Sequence, residues 1–236
     1  MVPAGRIELN LTELCNRTCE FCPRSTYYPN LNLNMSRDTL VEICEQIVDF
    51  NPNAEISITG RGEPLLHPNI VEFLETLHGY GLDIHLTTNG DHFYKFKNEP
   101  VFNKIHVLMN SYDSEQQMKD RMIRYPHFNH SFKTSTNFKQ DNRGGSFDAP
   151  VDLTRPCHIL YYKMFIDWDG TVNLCCNDWK YKVVVDSIHH NTIKNIWYNK
   201  LDPYRQQLAI GNRSCAKPCS ECNASNRKGR LIYESL

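Results

Sequence analysis

Little in this sequence is in excess. Its 26 basic residues are offset by 27 acidic ones, so no field of one sign draws the chain toward nucleic acid or an anionic membrane. Long hydrophobic runs are missing. Aliphatic stretches such as Val183-Val184-Val185 last only a few residues, against the roughly 20 that a bilayer span requires. Glycine and proline, 11 and 12 residues, are too few for a collagen-like or low-complexity chain. The opening MVPAGRIELN has no apolar centre of the secretory kind, so a cytoplasmic protein is expected. With 236 residues, 40% of them hydrophobic, there is room for one substantial domain, or a compact domain with an annex.

What the sequence does have is ten cysteines. In a reducing compartment a disulfide framework is a poor account of them and bound metal a better one. Nine fall in three groups: Cys15, Cys19 and Cys22; Cys157 with Cys175 and Cys176; and Cys215, Cys219 and Cys222. Cys44 stands alone, beside the stripe Leu40, Ile43, Ile47 and Val48 of a helix expected over 36–50. Ser36 is its N-cap and Asp38 suits its positive start. There Cys44 is expected to be an inert, packed thiol.

The first group follows an alternating segment, Ile7-Glu8-Leu9-Asn10-Leu11, and so lies on the loop after a first strand. Strands are also expected at 56–59, 82–86 and 104–109, the first two after helix-like stretches. Such alternation favours βαβ units and a parallel sheet. Ligands of parallel sheets collect at the carboxyl ends of the strands. Polar, turn-rich segments stand at those ends: Gly60-Arg61-Gly62-Glu63-Pro64, Thr87-Thr88-Asn89-Gly90 and Asn110-Ser111.

Three thiolates on one short loop can share a metal centre and leave one position open. Structural zinc closes its shell with four ligands, and the nearest extra candidate, His67, is far along the chain. A cubane iron–sulfur cluster with one iron unligated is chemically open, which suits a catalyst.

The string Cys15-x3-Cys19-x2-Cys22, with Phe21 before its last cysteine, resembles the signature of the radical S-adenosylmethionine superfamily. The resemblance implies a partial (β/α)6-type barrel of α/β class. It implies that the three cysteines hold a [4Fe-4S] cluster whose free iron is chelated by S-adenosylmethionine, and that a reductase, flavodoxin or ferredoxin supplies the electron that cleaves this cosubstrate. Gly62, Glu63 and Pro64 match the family's Gly-Glu-Pro segment, where glycine and glutamate meet the methionine amine. Arg61 stands where a second glycine is commoner. Asn89 and Gly90 resemble the loop beside the cosubstrate, and Asn110 or Ser111 the approach to its ribose. A tight turn for Gly60 and Gly62, and a solvated loop carboxylate for Glu63, are the plainer alternatives.

In the last third, Asp169-Gly170 reads as a hairpin turn that brings Cys157 toward Cys175. An amphipathic helix is expected over 191–209, with Ile193, Ile196, Trp197 and Leu201 at helical spacing. This region resembles the twitch form of the SPASM-type extension. That likeness implies a small β-hairpin plus helix module with one auxiliary [4Fe-4S] cluster on Cys157, Cys175, Cys219 and Cys222. Cys176 or Cys215 could substitute, and a structural zinc would suit four thiolates equally well. The expected division is 1–150 for the barrel and 151–236 for the auxiliary module.

Between them, after a strand expected over 132–138, lies Asn142-Arg143-Gly144-Gly145. It resembles the corresponding segment of twitch-bearing aminocyclitol dehydrogenases, which makes Arg143 the substrate-site residue, polarising and orienting a hydroxyl; a surface turn arginine is the alternative. The leading expectation is an oxidoreductase that oxidises a sugar-like or cyclitol alcohol and passes an electron to the auxiliary cluster. A maturase acting on a peptide or protein side chain is the second reading. It is disfavoured because Cys15 lies so near the start that no N-terminal peptide-recognition domain is expected to fit before it, although a partner could supply one. A non-catalytic zinc-binding interaction protein is the third. His67, His85, His106, His189 and His190 are expected to be packing or surface groups.

Overall fold

A computed structural model describes residues 2–134 and 141–224. Its organising element is one eight-stranded sheet in the order β5-β4-β3-β2-β1-β6-β7-β8. The strands are β1 (Arg6–Leu9), β2 (Glu55–Ile58), β3 (Asp83–Thr88), β4 (His106–Ser111), β5 (Asn129–Phe132), β6 (Lys163–Ile166), β7 (Thr171–Asn173) and β8 (Val184–Ser187). Six of them, from β5 through β1 to β6, are parallel, and β7 and β8 continue antiparallel. The sheet therefore runs unbroken from the barrel into the cysteine-rich last third.

Period-2 alternation decides which side chains face the mouth. Glu8, Thr87, Asn110 and Lys163 point into it, while Ile7, Ile56, Ile84, Leu86, Val107 and Met109 pack in the core. Helix α1 (Arg37–Phe50) follows its sequence pattern: the Ser36 side chain accepts from Thr39 N–H, and Leu40, Ile43, Cys44 and Ile47 are buried. Val48 falls off that stripe and is 39% exposed. Helix α2 (Ile70–Gly79) buries Ile70, Phe73, Leu74 and Leu77, and α3 (Glu115–Arg124) follows β4. Among the described residues no helix is long and apolar enough to cross a membrane.

Two elements differ from expectation. The strand expected over 132–138 lies earlier, because β5 takes its register from β4, pairing Leu108 with Asn129 and Ser111 with Phe132; positions 135–140 lie outside the described residues. The helix expected over 191–209 is broken. It comprises α4 (Ile193–Asn195), a π-helical stretch Ile196–Lys200, and α5 (Asp202–Ala209). Pro203 lacks the N–H that an interior helical position would donate, and instead stands in the first turn of a new helix.

Candidate active site

The first three thiols stand on the loop after β1, and its shape is set locally. The Asn30 side chain accepts from Cys15 N–H at 2.8 Å and donates to Cys15 C=O at 3.1 Å. Cys22 N–H donates to Cys19 C=O at 2.8 Å. Buried Arg24 ties the loop to its neighbours through Arg61 C=O at 2.6 Å and Glu13 C=O. Burial raises the thiols of Cys15, Cys19 and Cys22, that of Cys19 to about 11. These groups hold their protons until a cation displaces them.

The loop borders a cavity of about 340 Å³ at the carboxyl ends of the strands. Of the residues singled out from sequence, Cys15, Cys19, Phe21, Cys22, Gly62, Glu63, Asn89, Asn110 and Arg143 line it. Gly62 is required by close approach: a Cβ there would stand 2.1 Å from Thr12 C=O. Glu63 is no solvated carboxylate. It is 3% exposed and accepts from Leu65 N–H at 3.0 Å, Thr88 O–H at 2.6 Å and Asn89 N–H at 2.7 Å. Burial nonetheless carries it up to about 7, against those donors.

Pro64, Gly90 and Ser111 are not on the wall. Pro64 opens the turn behind Glu63. Gly90, at φ +73°, forms the bend after β3. Ser111 is fully buried, its hydroxyl 3.2 Å from Arg121, because alternation along β4 turns it away when Asn110 faces in. Arg121 also donates to Asn89 C=O at 2.8 Å and pairs with Asp91 at 2.9 Å, joining the β3 and β4 ends.

The wall also holds Cys176, singled out as a possible auxiliary ligand, and Glu8, Arg17, Tyr112, Lys133, Lys163 and Trp179, which the motifs do not reveal. Glu8 and Lys163 form an ion pair between β1 and β6. Alternation sets Glu8 on the face opposite Ile7 and Leu9, but its partner is distant in sequence. The Phe21 and Tyr112 rings pack at a tilt of 34°, their centroids 5.7 Å apart. Arg17 grips Asp91 and Asp113, holding the Asp113 carboxyl down to about 2.

Arg61, the departure from the Gly-rich pattern, is a buried strut. It pairs with Asp167, donates to Asp178 C=O at 2.9 Å and lies 4.1 Å from the Tyr181 ring centroid. Those partners all belong to the last third, so Arg61 bolts the two modules together.

A second cavity, of about 260 Å³, is lined by Cys157, Cys175, Cys176, Cys219 and Cys222. Cys157 precedes β6, Cys175 and Cys176 follow β7, Cys219 lies in α6 (Lys217–Ser220) and Cys222 just after it. Cys215, in a 3-10 turn, is not on the wall. Buried Arg213 clamps the pocket by donating to Arg155 C=O at 2.7 Å, Cys222 C=O at 2.6 Å and Ala224 C=O at 2.6 Å. Burial raises Cys157, Cys219 and Cys222, and a hydrogen bond with Cys176 raises Cys175 further. Cys176 moves the other way, through that hydrogen bond and the Lys163 ammonium 3.9 Å from its sulfur.

Arg143 is half-buried and borders both cavities. Arg143, Gly144 and Gly145 all have positive φ, 49°, 63° and 84°, and a Cβ on Gly144 would stand 2.3 Å from Asn177 C=O. The strained turn is locked by Asn142 and Asn223, which exchange backbone-to-side-chain hydrogen bonds at 2.8 and 3.1 Å.

The donor sets are all sulfur, and among the described residues no three thiols lie within 4.8 Å of one another. Sulfurs around one tetrahedral zinc stand roughly 3.8 Å apart. Wider spacing in two half-buried, thiol-lined sites fits a polynuclear cluster.

An open three-thiol loop at the carboxyl mouth of a parallel partial barrel defines an enzyme class, and the sequence agrees: residues 9–153 match the Radical SAM superfamily. The chain belongs to that superfamily, whose members carry a [4Fe-4S] cluster and use S-adenosylmethionine. Residues 157–223 match the SPASM iron–sulfur cluster-binding domain, so the third reading, a non-catalytic zinc protein, does not hold.

Among individual relatives, the S-adenosyl-L-methionine-dependent 2-deoxy-scyllo-inosamine dehydrogenase of Niallia circulans is 25% identical over 92% of each chain. The crystal structure of BtrN in complex with AdoMet and 2-DOIA superposes with a TM-score of 0.81, at 23% identity, over 94% of this chain and 93% of that one. Streptococcus suis SuiB bound to its precursor peptide SuiA shares the fold more distantly, with a TM-score of 0.54 at 13% identity, over 98% of this chain and 73% of that one.

Proposed function

We propose that this chain oxidises a secondary alcohol of a small sugar-like or cyclitol substrate to the ketone, with an electron acceptor held in the second thiol pocket. One observation carries the reading. Arg143, Lys163 and Cys176 border both cavities, so a substrate in the first would stand next to the wall of the second. The likeness to an inosamine dehydrogenase along most of both chains supports the substrate class.

In this reading Cys15, Cys19 and Cys22 hold the first cluster, and Cys157, Cys175, Cys219 and Cys222 the auxiliary one. When bound, the first cluster and S-adenosylmethionine supply a 5′-deoxyadenosyl radical that takes a hydrogen atom, and the auxiliary cluster takes one electron. The chain's own groups bind, orient and keep water out. Glu63 receives the methionine ammonium, with Gly62 allowing close backbone approach and Pro64 setting the turn. Phe21 and Asn89 flank the cosubstrate, Gly90 shapes the loop beside it, and Asn110 approaches its ribose with Ser111 behind.

Arg143, always charged, polarises and orients the substrate hydroxyl and does not take its proton. Of the two carboxylates on the wall, Glu63 is occupied by the methionine ammonium in this reading, so the hydroxyl proton passes to Glu8. The alcohol thus gives up one hydrogen atom, one proton and one electron, which balances a two-electron oxidation to the ketone.

The test is anaerobic turnover with reductant, S-adenosylmethionine and deuterated candidates. Deuterium reaching 5′-deoxyadenosine from a carbinol carbon, with one ketone per cosubstrate consumed, supports the proposal. Label arriving only from an amino-acid side chain overturns it in favour of a maturase.

A further inference from the structure

The opposite end of the sheet carries a second set of ligand-type side chains. Asp83 and His85 alternate with the buried Ile84 on β3 and so share a face with Thr87, which lines the reaction cavity. They therefore face the barrel's interior at its amino end. Parallel register sets His85 beside His106 of β4, and Asp83 beside Glu55 of β2. The two imidazoles stack, with centroids 4.4 Å apart. The Asp83 carboxylate stands 3.2 Å from His85 Nε2 and 3.6 Å from His106 Nε2. One ligand atom from each of the three lies within 4.8 Å of the other two, the only such grouping among the described residues. On the far side of the His85 ring, Glu55 lies 3.7 Å from Nδ1 and is itself ion-paired to Arg6.

We propose that Asp83, His85 and His106 form a divalent transition-metal site that takes zinc, separate from the radical chemistry. Two imidazoles and one carboxylate suit zinc and its borderline neighbours better than magnesium or calcium, which prefer all-oxygen shells. Neighbouring ligand atoms around tetrahedral zinc stand roughly 3.3 Å apart. Two of the three spacings here already lie near that value, so closure needs only a small turn of one ring. The ligands sit on paired strands and are preorganised by the sheet. Glu55 behind Nδ1 matches the carboxylate–histidine–metal arrangement that fixes a ligand's tautomer and orientation. The three side chains are partly open to solvent, so an ion has a path in. A bound ion would cross-link β3 to β4 at the end away from the thiols.

The experiment is an anaerobic calorimetric titration of zinc into the full chain with its clusters loaded, so that the cluster-ligating thiols are occupied. One zinc per chain is expected. His106→Ala and His85→Ala should each weaken binding by at least about 100-fold, and Glu55→Gln by about 10-fold. His127→Ala serves as the control and leaves binding unchanged. Iron content and S-adenosylmethionine cleavage should be unaltered in His106→Ala, which separates loss of the site from loss of the fold. Anomalous diffraction at the zinc edge should place the ion between His85 and His106. Binding that survives both histidine substitutions, an anomalous peak at a cysteine instead, or no saturable binding below millimolar zinc overturns the proposal and leaves a hydrogen-bonded surface cluster.

Discussion

The first thiol site occupies a single loop, and short-range contacts shape it: Asn30 on the Cys15 backbone, and Cys19 on Cys22. The second is assembled from three separate segments and depends on long-range clamps from Arg213 and Asn142. A local site is complete once its loop is formed. A distributed one exists only after the sheet and hairpin have folded, and so shares in their cooperativity. Between the two stand Arg143, Lys163 and Cys176, belonging to both.

Removing the first site should have the largest effect. Cys19→Ala is expected to lower S-adenosylmethionine cleavage by at least about 10³-fold and to drop iron from about eight to about four atoms per chain, read by 5′-deoxyadenosine release and iron assay. If the two regions divide the work as proposed, Cys219→Ala should lose the other four irons yet keep measurable cleavage while net alcohol oxidation stops. Ketone formation at the wild-type rate would erase the distinction between the sites.

Arg61 is the bolt between the regions. Arg61→Gly leaves Asp167 buried without its cation and should destabilise the fold by about 3 kcal/mol, measured by denaturant unfolding of the cluster-loaded protein. Asp167→Asn added to it should recover part of that loss, because the buried charge is gone while Asn10 and Trp168 N–H still donate to the remaining amide oxygen.

A smaller effect follows from Glu63, whose carboxyl burial carries from an ordinary 4.5 to about 7. Between those values the folded chain keeps a proton that the unfolded chain has lost, so this group's contribution to stability falls as pH rises through the window. Cosubstrate binding runs the opposite way, because an ammonium needs the carboxylate. The KM for S-adenosylmethionine should rise as pH drops below about 7, and Glu63→Gln should flatten that dependence while raising KM throughout. Smallest of all, Cys215→Ser should leave iron content and turnover within twofold of wild type, since this thiol is off the pocket wall. Loss of four irons would place it among the ligands.

Much of this was legible in the sequence because it is local. The Cys15, Cys19, Cys22 spacing, the Gly62-Glu63 approach and the capped stripe of α1 each occupy a few consecutive positions. The choice left open between Asn110 and Ser111 turns on a local fact too: neighbours on a strand point to opposite faces, and Asn110 takes the inward one. The break at Pro203 was overlooked, because the apolar spacing across it suggested continuity. The strand at 129–132 could not be read, since Asn129, His130 and Ser131 have no apolar alternation and β4 supplies the register.

The sequence alone determined the chemistry class, because cluster-binding thiols and a cosubstrate-binding turn are motifs whose donors lie close along the chain. Only the tertiary structure decided that Glu8 meets Lys163, that Arg61 meets Asp167, and that Arg143 borders two cavities at once. Those partners are far apart in the chain, and the parallel sheet is what carries them to one mouth, where burial makes each unpaired charge costly enough to require its mate.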